Sequence, residues 1–149
     1  FAAAGGPVVG ICNGFQVLCE AGLLPGVLQK NAGLRFLCQT VTLRVASQAS
    51  VLTRDVEIGT ELQIPINHFS GNYTCAPETL ARLVAEDQVV LRYADNPNGS
   101  MDDIAGVRNR AGNVVGLMPH PERASSGLLG SEDGLPLLAS VLAATRAVA

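Results

Sequence analysis

The pattern Gly-Ile-Cys-Asn-Gly at residues 10–14 places a cysteine between two glycines, after an apolar run at residues 7–12. This is the form of a nucleophile elbow, a sharp strand-to-helix turn that lifts a side chain out of the sheet. The glycines relieve clashes with neighbouring chain, and the helix start brings backbone N–H groups and a positive dipole end near the sulfur. We therefore predict Cys12 as a thiolate nucleophile, with the N–H of Asn13 as one oxyanion donor. A buried structural cysteine in a turn fits the local pattern equally well.

A thiol nucleophile needs a proton acceptor, and the chain contains two histidines, His68 and His120. His120 follows the apolar run at residues 114–117, and the carboxyl ends of parallel strands share one sheet edge, so His120 is expected to face Cys12. In extended chain Glu122 points the same way, where a carboxylate fixes the imidazole tautomer and stabilises the imidazolium. We predict a Cys12–His120–Glu122 triad. The alternative for His120 is an ordinary surface or core histidine in a loop.

The second histidine, His68, lies in a loop rich in Gly, Asn and Ser. It fits a contact to a polar substrate and an ordinary hydrogen-bonding role equally well. The histidines and cysteines have none of the usual zinc spacings, so no metal site is predicted. The glycines near Cys12 match neither a phosphate loop nor a dinucleotide fingerprint, because no Gly-Lys-Ser/Thr follows and Cys12 occupies the place of the middle glycine. We expect no cofactor bound by this chain.

Composition limits the class of protein. The 149 residues predict one domain over 1–149, and 48% hydrophobic against 15% charged residues argues against disorder. No apolar stretch reaches the roughly 18 residues needed to span a bilayer, so we expect no membrane segment. The net charge of −3, the single lysine Lys30 and the 4% aromatic content argue against nucleic-acid binding. The four cysteines are unevenly spaced in apolar or strand-like contexts, which is typical of a reduced, cytoplasmic protein.

The elements that must position these groups follow from hydrophobic spacing. Strands are predicted at residues 7–12, 34–45, 62–66, 89–93, 104–108 and 114–118. Helices are predicted at residues 15–24, 77–85 and 136–145, and a polar loop at 67–73. A helix follows the first strand, whereas short turns join several later strands. We therefore predict an α/β fold with a mixed, mostly parallel sheet flanked by helices.

Five motifs, in this order, resemble the glutamine amidotransferase subunits of phosphoribosylformylglycinamidine synthase, which are class I, triad-type amidotransferases. They are Gly-Ile-Cys-Asn-Gly-Phe-Gln (10–16), Gly-Leu-Leu-Pro-Gly (22–26), Gly-Asn-Tyr (71–73), Asn-Pro-Asn-Gly-Ser (96–100) and Met-Pro-His-Pro-Glu-Arg (118–123). The elbow and His-Pro-Glu are common to class I amidotransferases, whereas the motifs at 96–100 and 118–123 are more specific. The resemblance implies the flavodoxin-like architecture of that class.

The resemblance also implies an activity. Cys12 would attack the side-chain amide of glutamine, His120 would move the protons, and Glu122 would orient it. Gln16 matches a position that contacts the substrate glutamine. The ammonia would pass to a large synthetase subunit that uses ATP and magnesium to aminate formylglycinamide ribonucleotide, and a small accessory subunit would complete the complex.

Two departures from the family pattern stand out. The family usually has a longer chain, so we expect this sequence to lack its N-terminal portion, including the first strands and the glycine-rich loop that supplies a second oxyanion donor. On that expectation the fragment alone is inactive or poorly folded. Phe69 and Ser70 stand where a small residue and an acid are common, so His68 and Ser70 rank below the triad as substrate-binding residues.

Three alternatives remain at this point. The chain fits the amidotransferase region of a fused single-chain synthase, although the motif at residues 22–26 followed by Asn31 resembles the short separate subunit more. A non-catalytic scaffold subunit would be expected to lose Cys12, His120 or Glu122, and all three are present. A cysteine hydrolase of peptides is a weaker alternative.

Overall fold

The computed structural model describes residues 1–146, so the last three residues of the predicted domain at 1–149 lie outside the described part. The described part contains eight strands: β1 (Val8–Ile11), β2 (Val27–Lys30), β3 (Leu37–Val45), β4 (Glu61–His68), β5 (Ser70–Thr74), β6 (Val89–Tyr93), β7 (Ile104–Arg108) and β8 (Val114–Leu117). The helices are α1 (Asn13–Glu20), α2 (Pro77–Ala85) and α3 (Leu135–Arg146). The predicted α/β class is confirmed. No helix within 1–146 has the length and apolarity needed to cross a membrane.

Six strands form one mixed sheet in the order β1-β8-β7-β6-β3-β4, and β2 pairs separately with β5. The mixed sheet is as predicted, but the expectation that it is mostly parallel is wrong for the described residues. Only β1 and β8 are parallel there, and the other four pairings of this sheet are antiparallel. The reason is connectivity, because β7 follows β6 and β8 follows β7 without the helical crossover that a parallel pair requires.

The predicted polar loop at residues 67–73 is also wrong. β4 continues to His68, and β5 begins at Ser70 after the single residue Phe69. The unpredicted strand β2 supplies the pairing partner of β5, with Leu28 opposite Tyr73. Both short strands carry polar residues, so their apolar pattern is too weak to predict them.

Two apolar clusters lie on opposite faces of the main sheet, as consecutive β8 residues show. Val115 belongs to the cluster that includes β3, β4 and Leu137 of α3. Val114 belongs to the cluster that includes α1 and α2. In this second cluster the fully buried ring of Phe15 stacks on that of Tyr73, with 5.8 Å between centroids and 11° between planes. This contact fixes α1, and with it the turn at Cys12, against the β2–β5 pair.

Candidate active site

The predicted elbow is present as a strained turn between β1 and α1. Cys12 has φ 52° and ψ −106°, a left-handed φ that non-glycine residues rarely adopt. Its N–H donates to the carbonyl of Leu117 at 2.8 Å, which continues the β1–β8 ladder by one residue. The first N–H groups of α1 have no intrahelical acceptor, so that of Asn13 is open to an incoming oxyanion.

The two flanking glycines do different things. A Cβ on Gly10 would lie 2.6 Å from both the carbonyl carbon and the oxygen of Gly14, so strand and helix cross too closely for a side chain there. A Cβ on Gly14 would meet nothing within 4 Å. The clash relief expected of both glycines therefore holds for Gly10 alone.

His120 follows β8 as Cys12 follows β1, and the parallel pairing of Ile11 with Leu117 brings both residues to one sheet edge. The N–H of His120 donates to the carbonyl of Pro65 in β4 at 2.9 Å, which anchors the loop. Cys12 and His120 line the same pocket.

Glu122 contacts the imidazole through a 3-10 turn (Pro121–Arg123) rather than through the extended chain that we expected. Nδ1 of His120 donates to Oε1 of Glu122 at 2.6 Å. The pKa of His120 is raised, chiefly by the adjoining Cys12 side chain and further by Glu122, while burial opposes the rise. The carboxylate thus occupies Nδ1 and leaves Nε2 toward the pocket side of the ring.

Cys12 and His120 line one pocket, but no hydrogen bond joins the sulfur to Nε2. The Cys12 thiol points to the carbonyl oxygen of Asn67, 3.9 Å away. Nε2 of His120 is buried and has no hydrogen-bond partner among the described residues. If the thiol turned away from Asn67 toward His120, it would offer Nε2 the hydrogen-bond donor that this atom lacks.

The pocket has a volume of about 570 Å³ and contains every predicted substrate-binding residue. Asn13, Gln16, His68 and Ser70 all line it, together with Ile11, Phe36, Asn67 and Phe69. These four polar residues of the lining were predicted from sequence, but their roles and those of the triad stay predictions. Phe36 and Asn67 were not predicted, because nothing in their local sequence indicates that they reach the pocket.

Gln16 connects two walls of the pocket. Its Nε2 donates to the backbone carbonyl of Ser70 at 2.9 Å, which ties α1 to the start of β5. The side-chain oxygen of Gln16 is the atom left to contact a substrate.

His68 is a buried, neutral member of the same pocket. It is 4% exposed, and its Nδ1 lies 3.1 Å from Oδ1 of Asn31. Burial, and next the charge of His120, lower the pKa of His68 to about 4. Asn31 is fully buried, and its position after the motif at residues 22–26 does not predict this contact with His68.

Other chemistry is not apparent in the described residues. Within 1–146 no group of three or more His, Cys, Asp or Glu residues could hold a metal ion. The four cysteines, all within this part, form no disulfide. Cys19 donates to the carbonyl of Pro25 at 3.8 Å, and burial raises its pKa to about 12, so it is a poor nucleophile.

An elbow cysteine beside a His–Glu pair at one edge of an α/β sheet is an arrangement suited to activating a cysteine nucleophile. A family profile described as "CobB/CobQ-like glutamine amidotransferase domain" matches residues 1–132. The chain belongs to this glutamine amidotransferase family.

Two relatives are similar over nearly the whole chain, and both are named "Phosphoribosylformylglycinamidine synthase subunit PurQ". The protein of Rubrobacter xylanophilus is 59% identical over 146 residues, which is 98% of this chain and 66% of the relative. That of Lacticaseibacillus paracasei is 57% identical, over 98% of this chain and 64% of the relative. The chain therefore spans about two thirds of the length of these curated relatives.

A solved structure described as "Structure of PurLQS from Thermotoga maritima" superposes with a TM-score of 0.85 at 44% identity. The match covers 95% of this chain and 63% of that chain. The class I glutamine amidotransferase architecture predicted from the motifs is therefore confirmed.

Proposed function

We propose that this chain is the catalytic part of a glutaminase that supplies ammonia to phosphoribosylformylglycinamidine synthase. The observation that carries the proposal is the β1–β8 register, which sets the elbow residue Cys12 beside the Glu122-bound imidazole of His120 in one pocket. The description of the matching family supports glutamine as the substrate, and the names of the relatives support the synthase as the complex.

The geometry supports a two-stage hydrolysis. The Cys12 thiol gives its proton to Nε2 of His120, and the sulfur attacks the side-chain carbonyl carbon of glutamine. The N–H of Asn13 donates to the oxygen that becomes negative. His120 then returns the proton to the leaving nitrogen, so the C–N bond breaks and ammonia departs from a glutamyl thioester. Water, deprotonated by His120, cleaves the thioester to glutamate and restores the thiol.

Glu122 acts on the imidazole rather than on the substrate. Its bond to Nδ1 holds the tautomer that leaves Nε2 free to accept the thiol proton, and its charge stabilises the imidazolium that follows. The raised pKa of His120 is the expected sign of this interaction together with that of Cys12.

The partners follow from the same proposal. A large synthetase subunit would use the ammonia, and a small accessory subunit would complete the complex. ATP and magnesium would belong to the synthetase, and this chain would bind neither. The chain and its partner subunits would be located in the cytoplasm.

The test replaces Cys12 with alanine in the full chain, assembled with its synthetase partner. We expect the C12A variant to lose glutamine-dependent synthesis by at least about 10³-fold, because the nucleophile is gone, and to keep ammonia-dependent synthesis. Both rates are measured with the same complex. Cys19→Ala is the matched control, because Cys19 has a half-buried, weakly acidic thiol outside the pocket, and it is expected to keep both activities.

Full glutamine-dependent turnover in C12A would mean that Cys12 is not the nucleophile. Labelling by a glutamine-like chloroketone distinguishes a catalytic chain from the non-catalytic scaffold subunit. We expect modification at Cys12, whereas modification at Cys19 or Cys75 alone would favour a non-catalytic subunit.

A further inference from the structure

A buried cluster beside the catalytic pair is not explained by the triad. His68, in the wall of the pocket, contacts Asn31 and Gly71, and Gly71 in turn contacts the 96–100 loop. These residues include two of the motifs that the proposed reaction does not use.

The hydrogen bonds of Asn31 fix the orientation of its amide. Nδ2 donates to the carbonyl of Arg35 at 2.8 Å and to that of His68 at 3.0 Å. Carbonyl oxygens only accept, so Nδ2 must be the nitrogen and Oδ1 the oxygen. Oδ1 accepts from the N–H of Gly71 at 3.2 Å and faces Nδ1 of His68 at 3.1 Å.

This orientation determines the tautomer of His68. Because Oδ1 of Asn31 can only accept, Nδ1 of His68 must carry the proton. In the neutral ring Nε2 then has a lone pair and no hydrogen. Nε2 is buried and has no hydrogen-bond partner among residues 1–146. A buried acceptor without a donor is costly, so a hydrogen-bond donor placed at this atom would stabilise the site.

The position of the ring depends on Gly71. A Cβ at residue 71 would lie 2.3 Å from Cε1 and 2.4 Å from Nδ1 of His68, so only glycine leaves room for the imidazole. Gly71 is itself held from the other side, because its carbonyl accepts from Nδ2 of Asn98 at 2.8 Å and from Oγ of Ser100 at 3.2 Å. These hydrogen bonds from the 96–100 loop therefore hold Gly71 in contact with His68.

We propose that Asn31 is a positioning residue that fixes His68 as the Nδ1–H tautomer, so that Nε2 accepts a hydrogen bond from an N–H group of bound glutamine. The glutamine part of this inference rests on the proposed function, whereas the tautomer does not. Glutamine offers N–H donors at both its ammonium and its amide. A neutral ring is suited to this role beside His120, because His120 carries the positive charge during the reaction.

The first experiment observes the imidazole nitrogens directly, by ¹⁵N NMR of the full chain labelled at histidine. We expect His68 to show a protonated Nδ1 and an unprotonated Nε2, unchanged between pH 8 and about pH 5, because its pKa lies at about 4. Adding L-glutamine to the Cys12→Ala variant, which cannot turn it over, should shift the Nε2 signal toward that of a hydrogen-bonded acceptor.

The second experiment removes the positioning contact. Asn31→Ala should raise KM for glutamine about tenfold, the value of one hydrogen bond, and change kcat less. The same variant should show a protonated Nε2 in part of the population. The control is Asn113→Ala, because Asn113 is also buried and donates to the carbonyls of Ala2 and Gly6, away from the pocket. It should lose stability and leave KM and the His68 signals unchanged.

A protonated Nε2 in the wild-type chain, or titration of His68 near the ordinary value of 6.5, would overturn the inference even if N31A fails to fold. An Nε2 signal of His68 that does not shift when glutamine is added would overturn the proposed substrate contact. These outcomes are separate from failure of the proposed function, which is decided by the glutamine-dependent rate of C12A.

Discussion

At Cys12 the backbone strain and the chemistry of the side chain have one origin. The left-handed φ of 52° ends β1 and starts α1 within a single residue. That abrupt change of direction exposes the sulfur above the sheet and beside free N–H groups of the helix. Strain of this kind costs about 1–3 kcal/mol, and it persists because the Leu117 hydrogen bond and the buried Phe15 hold both sides.

Replacement of Glu122 by glutamine should lower the pKa of His120, because the carboxylate is one of the groups that raise it. The amide still accepts from Nδ1, so we expect a smaller loss of glutamine-dependent rate than in His120→Ala, which removes proton transfer altogether. The measurements are an NMR titration of His120 in both chains and the two rates. Equal losses would mean that Glu122 does more than orient the ring.

The same pKa shift has a consequence for stability. A histidine whose pKa is raised on folding stabilises the protein fully below its unfolded pKa of about 6.5, and this contribution is lost as pH rises through the folded pKa. The wild-type chain should therefore exceed E122Q in unfolding free energy by the largest margin below about pH 6.5. A margin that grows at alkaline pH would contradict the assignment.

Much of the site could be predicted from sequence because its chemistry is local. Cys12 lies inside a five-residue elbow, and Glu122 is two residues from His120, so spacing alone connects them. Asn31 and Asn67 contact the site through hydrogen bonds that span 37 and 55 residues. Such contacts depend on the strand pairing, which no local pattern fixes.

At the scale of elements, the crossing of β1 and α1 yields a paired test. Gly10→Ala should destabilise the chain by about 1–3 kcal/mol, because its Cβ would meet the backbone of Gly14, which cannot move aside. Gly14→Ala should be neutral or stabilising by up to about 1 kcal/mol, since its Cβ meets nothing and alanine is the better helix residue. Denaturant unfolding measures both. Equal costs would contradict the close approach at Gly10.

The elements that were predicted and those that were missed differ in what stabilises them. β6 and β8 consist of buried apolar residues apart from the half-buried Arg92 in β6, so their own sequence predicts them. β5 reads Ser-Gly-Asn-Tyr-Thr, which is typical of a turn. It is extended because β2 pairs with it and Ser100 accepts from the N–H of Tyr73 at 3.0 Å. The prediction of mostly parallel strands was wrong for a similar reason, because the direction of pairing depends on the connections between strands and not on their composition.

At the scale of the whole molecule, β1 is an edge strand of the described sheet. The N–H groups of Val8 and Cys12 donate toward the β8 side, to Asn113 and Leu117. In a parallel ladder alternate residues face opposite neighbours, so Val9 and Ile11 direct their backbone groups away from β8. Residues 1–146 provide no strand on that side.

Amide hydrogen exchange of the 149-residue chain should therefore alternate along β1. We expect the amides of Val9 and Ile11 to exchange faster than those of Gly10 and Cys12, because only the latter pair faces β8. The fully buried strand β8 serves as the protected reference, and the measurement is made at low protein concentration to avoid edge-to-edge association. Uniform protection of all four amides would contradict an open edge.

The parallel pairing of β1 with β8 comprises only four residue pairs, from Val8 with Val114 to Ile11 with Leu117. A strand advances about 3.3 Å per residue, so a slip by two positions would carry the sulfur some 6–7 Å past the imidazole while keeping every side chain on its original face. A shift of register in this short pairing would thus separate Cys12 from His120 while leaving the other strand pairings of the sheet unchanged.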